Sequence, residues 1–223
     1  MRLTEQDHAK VTAAVTAAEL RTAGEIVTVV ARRSDKYNDV AAHAGVLAML
    51  LMLAALSVWP GIAERLHALF YDPWSDAPHD GTLFGIALIL SALAFLIGRY
   101  ALASLPLRIA LTPGATKARR VRARALDLFR TSAEKRTAGA TGVLIYLSLD
   151  EHRAELIADA AIHSKVTPET WGAAMAALIV AVKDDRPGDG LADAVAQVGV
   201  VLAEHFPRAG DDRNELPDRL IEL

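Results

Sequence analysis

"RTAGEIVTVVA" (residues 21–31) and "RTAGATGVLIYLSL" (136–149) are the two stretches on which the fold turns. Both begin with Arg-Thr-Ala-Gly, and each copy stands between a helix-like run and a strand-like run. The residues that follow each copy are near-continuously apolar and rich in β-branched side chains. That is the pattern of strands covered on both faces. Past the repeat the two strands do not align, and the preceding helices differ in charge and in apolar stripe. The repeat is therefore one local solution used twice. A helix ends, glycine turns the chain, and a buried strand starts, with Gly24 at a C′ position where positive φ is expected. Neither half is large enough to bury its strand alone. The reading is a single α/β domain that has been cut open and filled.

The filling is apolar. "VAAHAGVLAMLLMLAALSVW" (40–59) and "GTLFGIALILSALAFLIG" (81–98) each reach the roughly 18–20 residues that cross a bilayer core. Helices of a soluble core seldom stay apolar on every face over such a length. Gly81 with Gly85, and Ala44 with Ala48, are small-xxx-small pairs that predict close helix approach. In the segment between the spans, Glu64, Asp72, Asp76 and Asp80 stand against Arg65 alone, and Trp59, Tyr71 and Trp74 sit like interface aromatics. Ile62, Leu66, Leu69 and Phe70 predict a short helix lying on the membrane surface. Outside the pair the charge reverses. Arg32, Arg33 and Lys36 precede it, and Arg99, Arg108, Lys117, Arg119, Arg120, Arg122 and Arg124 follow. The positive-inside rule then predicts a two-span protein of the cell inner membrane, with both termini cytoplasmic and the 60–81 loop outside.

Around the insertion, local signals complete the domain. Thr4 is a helix cap followed by Glu5 and Asp7 in the first turn. Val11, Val15 and Ala18 make its buried stripe. Thr112-Pro113 reads as the start of a helix with Val121, Ala125, Leu128 and Phe129 facing inward. "DEH" (150–152) is a tight turn into a third strand, 153–159. Thr167-Pro168-Glu169 begins a helix with Trp171, Met175, Leu178 and Val182 buried. "DDRPGDG" (184–190) breaks it, Asp189 is placed to cap the last helix, and Leu191, Val195, Val198 and Leu202 face the core. The expected fold class is α/β, a small central sheet flanked by helices and interrupted by a transmembrane helical hairpin. Residues 1–38 form the first part of the domain, 39–111 the hairpin (spans about 40–59 and 82–104), 112–207 the second part, and 208–223 a flexible tail.

Composition narrows the functions. The chain has 223 residues, a net charge of −3 and no cysteine, and its mean hydropathy is +0.25. Disulfides, thiolate zinc sites and cysteine nucleophiles are excluded. The overall charge gives no case for nucleic-acid binding, and anionic lipid explains the basic run Lys117–Arg124 better. The nucleophile-elbow, zinc-protease and P-loop patterns are absent. If strands 25–31 and 142–149 pair in parallel, their C-terminal ends share one edge of the sheet. The topology then gathers Asp35, Asp39, Asp150, Glu151, Asp184, Asp185 and Asp189 there. Clustered carboxylates can hold a hard cation, Ca2+ or Mg2+. Asp35, Asp150 and Asp184 are the candidate ligands because they come from three chain segments. A solvated rim of turn and cap residues is the plainer alternative.

"TGVLIYLSLDEHRAELIADAAI" (141–162), followed by two helices with "GDGLADAVAQV" (188–198) between their cores, resembles the TPM domain family, as does "VTAAVTAAELRTAGEIVTVV" (11–30). Gly142-Val143-Leu144 and Gly190-Leu191 match the family's strand and helix start. The resemblance implies an α/β sandwich with a central sheet and, for some members, acid-phosphatase activity with divalent-metal binding. Where the family has a glycine-rich turn after the third strand, this chain has Asp159-Ala160-Ala161-Ile162. Two functions follow. One is an adaptor or modulator, anchored in the lipid bilayer, of another membrane protein or complex. The alternative is a divalent-metal-dependent phosphatase, for which no catalytic motif is evident.

Overall fold

A computed structural model describes residues 3–70, 79–132, 140–208 and 215–223. In chain order the elements are α1 (Glu5–Glu19), β1 (Glu25–Ala31), α2 (Asn38–Val58), α3 (Gly61–Phe70), α4 (Asp80–Ala101), α5 (Leu105–Leu111), α6 (Gly114–Ser132), β2 (Gly142–Ser148), β3 (Arg153–Ala158), α7 (Ala160–His163), a 3-10 turn (Pro168–Trp171), α8 (Gly172–Lys183), α9 (Pro187–His205) and β4 (Ile221–Glu222). The chain divides into two compact units. One is 1–35 with 114–223; the other is 36–113.

The first unit is a four-stranded mixed sheet of order β3-β2-β1-β4. β1 and β2 pair in parallel from Glu25↔Gly142 to Ala31↔Ser148, as the sequence predicts. β3 returns antiparallel on β2, from Ser148↔Arg153 to Val143↔Ala158. Every residue of β1 and β2 is buried, and the two-residue period of a strand divides them between faces. Ile26, Val30, Val143, Ile145 and Leu147 join Val11 and Val15 of α1, Leu178 and Val182 of α8, and Leu191, Val195, Val198 and Leu202 of α9. Val27, Val29, Ala31, Leu144 and Tyr146 join Val121, Ala125 and Phe129 of α6. Helices thus cover both faces. Burying each such side chain contributes about 1.5–3 kcal/mol, which is why the strands carry no alternation.

Three local expectations are corrected. Gly24 does not adopt positive φ; no described glycine does. Its role is close approach, since an added Cβ would lie 3.1 Å from Leu202 Cδ1 and 3.3 Å from Thr22 Oγ1. α9 starts at Pro187 without a side-chain cap, and Asp189 instead pairs with Lys10 of α1. The tail is not loose after residue 214. Leu216 and Leu220 are buried, β4 pairs with β1, and the Glu25 carboxylate accepts the backbone N–H groups of Glu215 (3.3 Å) and Leu216 (3.2 Å). A polar composition hid two apolar anchors and a carboxylate able to receive them. The Thr4 cap is as expected: its hydroxyl accepts from Asp7 N–H while Asp7 accepts from Thr4 N–H, a capping box. Of the two RTAG copies, the first seats against the end of α9, with Thr22 Oγ1 donating to the Phe206 carbonyl at 2.7 Å. The second, 136–139, lies outside the described residues.

In the second unit α2 and α4 are long and apolar enough to cross a membrane, by length and composition. They pack on each other through small residues. A Cβ at Gly45 would meet the Phe95 ring at 2.9 Å, and one at Gly98 would meet Ala44 O and Ala48 Cβ at 2.8 Å. Gly81 and Gly85, expected at this interface, face open space; Gly85 instead borders a groove with Leu66 and Phe70 of α3. Arg108 ties the two ends of the unit together. Its Nε donates to the Leu102 carbonyl at 2.6 Å, past the end of α4, and its Nη1 to Asn38 Oδ1 at 2.8 Å, where α2 begins. α3 is the expected short helix. Tyr71 and Trp74 lie outside the described residues.

Two outcomes follow from this division. Replacing residues 36–113 by a flexible linker leaves a soluble domain with mixed α/β circular dichroism, because both faces of the sheet are covered from within the first unit. A random-coil spectrum would count against it. Gly98→Val inserts atoms where none fit and lowers the hairpin's resistance to denaturing detergent by about 1–3 kcal/mol, read by a loss of helicity at lower detergent fraction.

Candidate functional site

The candidate ligands Asp35, Asp150 and Asp184 lie in turns after β1, β2 and α8. Asp35 follows β1, and Asp150 N–H donates to the Arg32 carbonyl at 2.8 Å, which holds the two strand ends side by side. Each candidate ligand faces a cation. Arg120 Nη1 donates to Asp35 at 2.7 Å, Arg32 Nε lies 3.8 Å from Asp150, and Arg186 Nη2 lies 3.4 Å from Asp184. Glu151 is buried and turned inward, accepting from Ser34 N–H at 2.9 Å and from the Ser148 hydroxyl. Among the described residues no group of three or more His, Asp or Glu side chains is close enough to hold a metal ion. Arginines of α6 and of the turns thus stand beside all three candidate ligands.

A second acidic group was not foreseen. Glu19, at the end of α1, is buried, and its carboxyl accepts from Ile26 N–H at 2.9 Å. Burial pushes its pKa up to about 8, against the pull of the Ile26 hydrogen bond, and the nearby Glu25 and Asp218 push the same way. Asp218 is itself bound by the Thr16 hydroxyl at 2.7 Å. Glu19 and Glu25 thus lie where Asp218 of the C-terminal segment comes to rest, and that arrangement is most favourable when Glu19 is protonated.

The structure also holds a cleft that sequence reading missed. It encloses about 510 Å3 and is lined by Leu126, Phe129 and Arg130 of α6, by all of Ala154–Ala158, and by Asp159, His163, Trp171 and Met175. Five consecutive strand residues line it, although successive side chains of a strand point to opposite faces. The cleft therefore runs along the outer edge of β3, between α6 on one face of the sheet and α8 on the other. Trp171 and Asp159 are buried, and Trp171 Nε1 and Asp159 Oδ2 have no hydrogen-bond partner. Leaving such groups unsatisfied costs about 1–3 kcal/mol each. Arg122 Nη1 reaches Glu155 at 3.3 Å on the α6 side, and burial raises the Glu155 pKa against the pull of Arg122. The signal available in sequence was Asp159, an acid standing where the resembled family has glycines.

A pH dependence follows from Glu19. Its folded pKa lies above the ordinary 4.5, so the folded state binds the extra proton between those values. Stability is full below pH 4.5 and is lost as pH rises to about 8. The slope is at most about 1.4 kcal/mol per pH unit, and less to the extent that water reaches the group. Glu19→Gln keeps the acceptor for Ile26 and flattens the decline, as measured by urea denaturation across that range. A variant whose profile matches the wild type would remove Glu19 as the cause.

A family model for the TPM domain matches residues 102–201, from the end of α4 into α9. Among curated proteins none matches the chain. Among solved structures, the NMR structure of the BA42 protein from the psychrophilic bacterium Bizionia argentinensis is similar, with a TM-score of 0.56 and 18% identity over 100% of this chain and 97% of that one. At that identity the likeness concerns the fold alone. Residues 1–35 lie outside the family match, yet they supply α1 and β1 to the same compact unit. Over residues 102–201, a little under half of its length, the chain is similar to the TPM domain.

Proposed function

We propose that this is a membrane-anchored TPM-domain protein of the cell inner membrane, in which α2 and α4 are the two spans and the α/β unit is a cytoplasmic docking module for another membrane protein. The observation that carries this is the uncovered apolar surface of the hairpin. α2 and α4 satisfy each other through Gly45 and Gly98, yet Leu47, Leu50, Leu51, Phe84, Leu88, Ile89 and Ile97 remain exposed. An apolar surface of this kind, with no charge along the middle of either helix, is what hydrocarbon covers without cost. The basic residues outside the spans favour cytoplasmic termini. Docking, rather than turnover, fits a rim whose candidate ligands Asp35, Asp150 and Asp184 are each engaged by arginine.

The alternative, a phosphatase dependent on Ca2+ or Mg2+, rests on the family resemblance and on the shared sheet edge that brings Asp35 and Asp150 to neighbouring strand ends. One purification separates the two readings. The full-length protein, extracted in mild detergent, is expected to carry a stoichiometric membrane partner and to show no hydrolysis of a generic phosphoester with either ion. Chelator-sensitive turnover that disappears in Asp150→Asn and Asp184→Asn would replace docking with catalysis.

Topology is tested separately. The chain has no cysteine, so single cysteines at Ser75 and Ser132 report cleanly. An impermeant thiol reagent applied to spheroplasts, which exposes only the outer side of the inner membrane, labels position 75 and spares 132 until the cells are lysed. The reverse pattern would invert the orientation.

A further inference from the structure

β3 is an edge strand, and the phase of its ladder fixes which of its groups look outward. Asp159 N–H donates to the Gly142 carbonyl at 2.9 Å, while its own carbonyl accepts from Ile162 and His163 N–H, so residues 157, 155 and 153 turn their N–H and C=O groups toward β2. In an antiparallel ladder the alternate residues turn theirs away. Ala154, Leu156 and Ala158 therefore point both backbone groups into the cleft. Among the described residues no hydrogen bond reaches those six groups. An unpaired edge of this kind is a template for another strand. Here it lies in a groove closed by a helix on each side and ends at the unpartnered Asp159 carboxylate oxygen and Trp171 N–H.

We infer that the β3 cleft binds an extended segment of a partner protein by strand addition. Ala154, Leu156 and Ala158 supply the main-chain ladder, Trp171 Nε1–H donates to a backbone carbonyl of the segment, and Asp159 Oδ2 accepts one of its backbone N–H groups. The occupant's chemistry follows from the walls. An added strand sends alternate side chains to the α6 wall, Leu126 and Phe129, and to the α8 wall, Trp171 and Met175. Both are apolar, so the segment is apolar on both faces over about five residues, roughly 17 Å of strand. Arg122 and Arg130 stand on the α6 rim. Among the described residues Arg130 has a long 3.9 Å pairing with Asp127, both side chains about two-thirds exposed, so the segment carries a carboxylate at that flank. Strand addition gives main-chain affinity with side-chain pockets for selectivity, which suits a docking module. This proposal rests on the docking reading above and names the surface that performs it.

The test uses the full-length protein in detergent and a phage-displayed library of random linear peptides. Selection is expected to enrich peptides with a five-residue apolar core and a flanking Asp or Glu. Their binding slows amide exchange at Ala154, Leu156 and Ala158. Ala154→Pro removes an outward N–H and leaves the β2 ladder intact, as edge prolines do, and weakens binding about tenfold. Trp171→Phe keeps the ring, removes the donor, and weakens binding by a similar factor. If Ala154→Pro fails to fold, Trp171→Phe and the exchange pattern decide alone. No enrichment over detergent-only beads, or enriched peptides whose affinity and exchange footprint ignore both variants, would overturn the proposal. A stoichiometric membrane partner that stays bound in both variants would sink the cleft and leave the docking reading standing. Peptides seated on β3 with no partner in the purified material would do the opposite.

Discussion

The pairing of β1 with β2 is the constraint that the rest of the α/β unit obeys. Two strands buried on both faces, from parts of the chain more than a hundred residues apart, can exist only beside each other and only under two layers of helix. Once they pair, α1, α8 and α9 must close one face and α6 the other. The outer positions then fall to strands of a different kind. β3 is half-exposed along most of its length, and β4 is two residues long. The interior of the sheet is therefore closed by hydrophobic burial, while its edges keep the polar backbone groups that can still form bonds.

Much of this was legible in the residues because the signals are local. The β-branched runs, the Thr4 cap and the stripes of α6, α8 and α9 each declare themselves within one or two turns of chain, and the parallel pairing followed from connectivity. What could not be read depends on groups that meet only after folding. Gly24 carries the mark of a left-handed turn, but Leu202 is what demands a glycine there. The polar segment after Pro207 gave no hint that Glu25 would receive its backbone. At the acidic edge, Asp35 and Asp150 follow the paired strands β1 and β2. The sequence did not reveal that Arg120 would cross from α6 to one of them. The β3 cleft was invisible for the same reason, since its walls are contributed by α6 and α8, which pack on opposite faces of the sheet.

The two acidic groups of the α/β unit show how burial sets the behaviour of a carboxylate. Asp35, Asp150 and Asp184 on the rim are exposed or half-exposed and stand beside arginines, so their charge is satisfied at little cost. Glu19 is buried beside two other acids and keeps its proton instead. One arrangement yields paired surface charges, and the other a carboxyl that responds to pH.

The separation of β1 from β2 also has a temporal meaning. A chain made from its N-terminus exposes "EIVTVVA" long before residue 142 exists, and both candidate spans are synthesised in between. β1 must wait, apolar on both faces, while the hairpin finds its place. Closing a loop of that length costs (3/2)RT ln n. The Arg108 clamp draws the start of α2 and the segment after α4 within hydrogen-bonding distance. Once it forms, the effective loop shortens and the closure penalty falls by on the order of 1 kcal/mol. A closed hairpin therefore lowers the entropic cost of bringing β2 to β1.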